Sequence, residues 1–101
     1  MDERDSDFLA VLDRLRSALA DSRGRLSATG ALALAGFDRP SFERSRLVSR
    51  AMRELGWERW RYRFDGSLLY AYARGSRLER EVILDVERSA DGSFIVKRRD
   101  L

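Results

Sequence analysis

Arginines stand at positions 46, 50 and 53 and again at 59, 61 and 63, and Tyr70, Tyr72 and Arg74 follow. The first trio recurs at the spacing of one side of an α-helix, with Ser49 on the same side. The second recurs at every other residue, the spacing of one side of a β-strand. A guanidinium is planar, always charged and carries its donors in a fork, so it pairs bidentately with phosphate oxygens or with the edge of a guanine. A tyrosine among such groups either packs against their stems or offers its ring to a base. The chemistry open to this set is therefore binding, and its natural ligand is a polyanion.

The rest of the composition removes other chemistries. With no Cys and no His in the chain, zinc sites of thiolate and imidazole, disulfides, thiol nucleophiles and imidazole bases are excluded. Glu79, Glu81, Asp85 and Glu87 alternate as a solvent-facing edge does and have no His beside them, so neither an acid–base pair nor a metal site is expected. The stretch "GALALAG" lacks the Gly-Lys-Ser/Thr ending that grips phosphate in a nucleotide loop. The sequence thus predicts a protein that is not an enzyme, with no catalytic residue, metal, cofactor or small-molecule substrate. The acidic opening "MDERDSD", the absence of Cys and a longest apolar run, "ALALAGF", far too short to cross a bilayer predict a soluble cytoplasmic protein.

Of 20 basic residues 19 are Arg, a bias that a GC-rich genome produces as readily as selection does. Position is more informative. Residues 1–38 hold 5 bases and 7 acids, residues 39–74 hold 9 and 4, and residues 75–101 hold 6 of each, so the middle third carries the whole positive excess.

The elements that must position these residues can be read from periodicity. A chain of 101 residues is one domain, since two cores would each bury too little. Phe8, Leu12, Leu15 and Leu19 form the stripe of an amphipathic helix over 7–22, ended by Gly24. Ser27 caps a short second helix closed by Gly36. A third helix starts at Asp38 or Ser41, with Pro40 in its first turn, and ends at Gly56 in a left-handed cap that folds Trp57 back onto Met52. Its apolar arc is Leu47, Val48, Ala51, Met52 and Leu55, and its opposite arc holds Arg46, Ser49, Arg50 and Arg53. The three-helix part is expected to run over 7–55.

Asp65-Gly66 between two alternating runs predicts a two-residue hairpin over 58–74. It pairs Phe64 with Ser67, Tyr62 with Leu69 and Trp60 with Ala71 on one face, and Arg63 with Leu68, Arg61 with Tyr70 and Arg59 with Tyr72 on the other. The rings of the first face are expected inward, and the arginines and tyrosines of the second outward. Residues 79–99 read as a second hairpin looping at Ala90-Asp91-Gly92, with Val82, Leu84, Val86, Phe94 and Val96 on one face. The alternative over 76–88 is a helix opened by Ser76 and Glu79 as a capping box.

Three helices, the last with a basic face, followed by a basic hairpin are the element order of an α+β winged helix-turn-helix, here with an additional C-terminal β-hairpin. In that arrangement the third helix enters the major groove of duplex DNA and the wing reaches flanking phosphates. Arg46, Ser49, Arg50 and Arg53 would lie in the groove, and Arg59, Arg61, Arg63, Tyr70, Tyr72 and Arg74 would serve the wing. Residues 46–75, with Leu55, Gly56 and Trp57, then Arg59, Arg61 and Arg63, then Gly66, and finally Tyr72 and Arg74, resemble the winged-helix segments of phage and mobile-element replication proteins. The resemblance is to the C-terminal part of virulence-associated protein E-like primase-helicases in particular. It implies a small stand-alone DNA-binding regulator or replication accessory factor; the primase and helicase activities are not implied. The alternative is a protein-interaction adaptor in which the same fold docks an acidic partner, or pairs with a second copy through the C-terminal hairpin.

Overall fold

A computed structural model describes residues 3–99. Phe8, Leu12, Leu15 and Leu19, joined by Val11, seat helix α1 (Glu3–Leu19) on the core, where all five are buried. Each leucine taken fully out of water contributes about 2 kcal/mol. The Oγ of Ser27 accepts from the amide of Gly30 at 3.0 Å and opens helix α2 (Ala28–Leu34). Ser41, rather than Asp38, caps helix α3 (Phe42–Glu54), its Oγ accepting from the amide of Arg44 at 3.2 Å. At the far end of α3 the amide of Gly56 donates to the carbonyl of Arg53 and that of Trp57 to Met52, which turns the chain and buries Trp57. This is the paired closure of a left-handed helix end.

Strands β2 (Glu58–Phe64) and β3 (Ser67–Arg74) follow, paired in the register expected from the sequence, from Phe64 with Ser67 to Arg59 with Tyr72. Asp65 and Gly66 both have positive φ, at 50° and 88°, as a two-residue turn of this hand requires. Ser76 and Glu79 do cap one another, at 2.8 and 3.3 Å, but only a single 3-10 turn (Glu79–Glu81) results. Beyond it the chain is extended as β4 (Ile83–Arg88) and β5 (Phe94–Arg98), so 76–88 is not a helix. The β-branched residues Val82, Ile83 and Val86 favour this outcome.

The element that periodicity did not reveal is a short strand, β1 (Gly24–Ser27), where the sequence suggested only the stop of the first helix. It joins both hairpins: antiparallel to β3 and parallel to β4, it centres a sheet of order β2-β3-β1-β4-β5. The fold is α+β, three helices against a five-stranded mixed sheet. Gly24 is held at φ 145°, and a Cβ there would lie 2.5 Å from the carbonyl oxygen of Val82, which already accepts from the amide of Arg25 at 2.7 Å. Gly24→Ala is therefore expected to cost on the order of 3 kcal/mol, read as a lowered urea midpoint.

The register also decides which face of the hairpin is inside, and it corrects the expected one. Leu26, Tyr72 and Leu84 stand abreast on β1, β3 and β4 and all belong to the buried cluster under the helices. Val86, Phe94 and Val96 extend that face over β4 and β5. Arg59, Arg61 and Arg63 share it by alternation, whereas Trp60, Tyr62 and Phe64 lie on the face turned away from the helices. Trp60 is 65% exposed there, and Tyr72, expected outward, is only 3% exposed. Alternation fixes which residues share a face; the helices, docking on Tyr72 and Leu26, choose the face.

Candidate nucleic-acid interface

Two groups of arginines bear on a binding surface. The first is consumed by the fold. Arg74 donates to the carbonyls of Leu19, Ala20, Ser22 and Leu55, at 2.7 to 3.3 Å, and its guanidinium carbon lies 4.8 Å from the centre of a Trp57 ring. Burial, and secondarily the charge of Arg23, lower its pKa, with Asp21 opposing. Arg74, expected among the wing contacts, is thus a clamp across the ends of α1 and α3 and is not available to a ligand.

On the sheet face away from the helices, Arg25 donates to the carbonyls of Arg80 and Arg63 and lies over the Tyr62 ring. Arg80 forks onto Glu58 at 3.2 Å, and its hydrogen bonds hold the Glu58 carboxyl below the usual range. Arg99 forks onto Asp85 at 2.7 and 2.9 Å and reaches Asp65, in the turn between β2 and β3, at 2.7 Å. The bond from Arg99 lowers the pKa of Asp85, and the two carboxylates raise that of Arg99. Arg99, just past β5 (Phe94–Arg98), thereby ties that strand to the tip of the first hairpin.

The second population is unspent. Among the described residues, Arg46, Arg50, Arg53, Arg59, Arg61 and Arg63 are all exposed and none has a carboxylate within salt-bridge distance. What holds three of them is stacking: Arg50 lies 3.9 Å from the ring centre of Phe8, Arg59 4.4 Å from Tyr70, and Arg46 5.6 Å from Phe42. Such contacts orient a guanidinium without neutralising it.

The α3 group lines one groove with Asp7 of α1, Glu43, Leu47 and the half-buried Ser49. That is the side of α3 opposite Val48, Ala51 and Met52, which face the core. The β2 group lies on the helix-bearing face of the sheet, where the strand continues past the buried stretch of β3, and exposed Tyr70 and Leu68 accompany it there. Tyr72 and Arg74 do not join this surface. Phe42, at the first position of α3 and 77% exposed, belongs with the α3 group through its contact with Arg46, and periodicity gave no sign of it because it lies outside the apolar arc.

Among the described residues no cluster of acidic side chains is arranged to hold a metal ion, and no helix is long and apolar enough to cross a membrane. The chain matches no known protein family, no curated protein and no solved structure.

Proposed function

We propose that this chain binds duplex DNA as a winged helix-turn-helix, with α3 in the major groove and the β2–β3 hairpin on flanking phosphates. One observation carries the reading: Arg25, Arg74, Arg80 and Arg99 are tied to carbonyls and carboxylates, whereas six exposed arginines gathered in the adjacent elements α3 and β2 have no carboxylate within salt-bridge distance among the described residues. Arg14, Arg39, Arg77, Arg88 and Arg98 are likewise exposed without a carboxylate partner among the described residues, so what supports the reading is the concentration of six such groups in α3 and β2. The element order from α1 to β3, helix, strand, two helices, two strands, with β1 beside β3, supports the same reading. Arg46, Ser49, Arg50 and Arg53 serve the groove, and Arg59, Arg61, Arg63 and Tyr70 serve the backbone.

Affinity for a mixed-sequence duplex should fall steeply with salt, because each neutralised phosphate releases condensed counterions. With five or six such contacts, a plot of log affinity against log salt has a slope of about −5. A gel-shift series across salt measures it, and a duplex left unshifted at low salt would remove the proposal. A second reading, docking of a protein partner or a second copy, is favoured by Trp60, exposed beside Leu69 on the open sheet face. An exposed tryptophan of this kind is a frequent anchor of protein interfaces. That reading gains from the same series if no duplex binds.

A further inference from the structure

We infer that Phe42 and Arg46 form a base-reading pair at the start of α3, in which the Phe42 ring meets the 5-methyl group of a thymine and the Arg46 guanidinium takes the edge of a neighbouring guanine. The inference rests on the duplex reading above and names the sequence feature that the surface would select.

Phe42 is the anomaly that leads to it. A phenyl ring that is 77% exposed contributes little to the core, and the first turn of α3 does not need it, since Ser41 supplies the cap. Among the described residues its ring meets one cation, Arg46, four residues on, whose guanidinium carbon stands 5.6 Å from its ring centre. That guanidinium has no carboxylate partner among the described residues. Ring and cation therefore occupy adjacent turns on the exposed side of the helix, both uncommitted.

A groove-lying recognition helix presents its N-terminal residues to base edges. In the major groove, thymine alone among the four bases carries a methyl, which an apolar ring contacts. Guanine alone presents the paired acceptors O6 and N7, which an arginine fork takes. Two side chains that touch one another read two base pairs that also touch, so the favoured step is a thymine adjacent to a guanine. A ring stacked against Arg46 also limits the positions from which its fork can approach, which favours one register over its neighbours.

Two random-sequence duplex pools test this, one made with thymidine and the other with deoxyuridine, which differs only by the missing methyl. Bound fractions of each would be sequenced for the wild type, Phe42→Ala and Phe42→Leu. The wild type is expected to enrich a thymine–guanine step and to lose about fourfold in affinity for the selected site on uridine replacement, one buried methyl's worth. Phe42→Ala should bind the thymidine pool with the salt slope of the wild type yet show no penalty for uridine. Phe42→Leu, which keeps an apolar contact, should keep most of the penalty. Equal uridine penalties in the wild type and Phe42→Ala, or enrichment of no thymine-containing step, would overturn the assignment while leaving duplex binding in place. Retention of neither pool at low salt would overturn both.

Discussion

Replacing Arg74 with alanine is expected to lower the unfolding free energy by about 3 kcal/mol, which for a domain of this size moves the thermal midpoint down by roughly 15 °C. The size of the effect comes from how many groups one side chain satisfies. Carbonyls at the C-terminal ends of helices have no intrahelical donor, and Arg74 answers those of Leu19 and Ala20 behind α1 and of Leu55 behind α3. It also places a positive charge at the negative ends of both helices and lies against Trp57, which is buried beside it. Lysine is not a substitute, because a single ammonium cannot fan out to carbonyls from two elements. Arg74→Lys should recover less than half of the loss. Thermal unfolding followed by circular dichroism measures both variants, and an alanine variant within a degree or two of the wild type would show that the clamp is idle.

The second large effect concerns binding and should leave stability nearly alone. Arg50→Ala combined with Arg61→Ala removes one unspent guanidinium from α3 and one from β2. Duplex affinity at moderate salt is expected to fall about 30-fold or more, and the salt slope to become shallower by about two. Arg61 is exposed and has no carboxylate partner among the described residues; Arg50 gives up only its contact with the Phe8 ring. That contact is worth about 1 kcal/mol at most, so the melting curve should shift by only a few degrees. Fluorescence anisotropy with a labelled duplex reports the affinity. An unchanged binding curve with an unchanged melt would mean that these arginines face solvent and nothing else.

Much of the architecture was open to reading because it is written in local terms. The stripe from Phe8 to Leu19, the caps at Ser27 and Ser41, the close at Gly56 and the turn at Asp65-Gly66 each depend on a few neighbouring residues, and each forms where the pattern places it. Strand β1 was hidden for the opposite reason. Its four residues contain a single large apolar side chain, Leu26, so it has no alternation to detect, and its pairing is supplied by β3 and β4. Missing it reversed the faces of the first hairpin, because only β1 shows that the helices dock on the side of Tyr72.

The same gap misled the reading of Arg74. From the sequence it is one more arginine at the end of a basic strand; its carbonyl partners lie 19 to 55 residues away. Arg50, by contrast, sits exposed where helical periodicity puts it, and Arg61 is exposed as expected although on the other face of the sheet. Phe42 was passed over because an aromatic outside the apolar arc reads as noise until its exposure is known.

The position of β1 at the middle of the sheet bears on the order in which the protein can assemble as it is made. Its residues end at Ser27, yet the strand that flanks it on one side begins at Ser67 and the one on the other at Ile83. A ribosome must deliver most of the chain before that strand can bond along both edges. Contacts so distant in sequence slow the final step, and until it occurs the helices have only each other to cover Leu15 and Leu19.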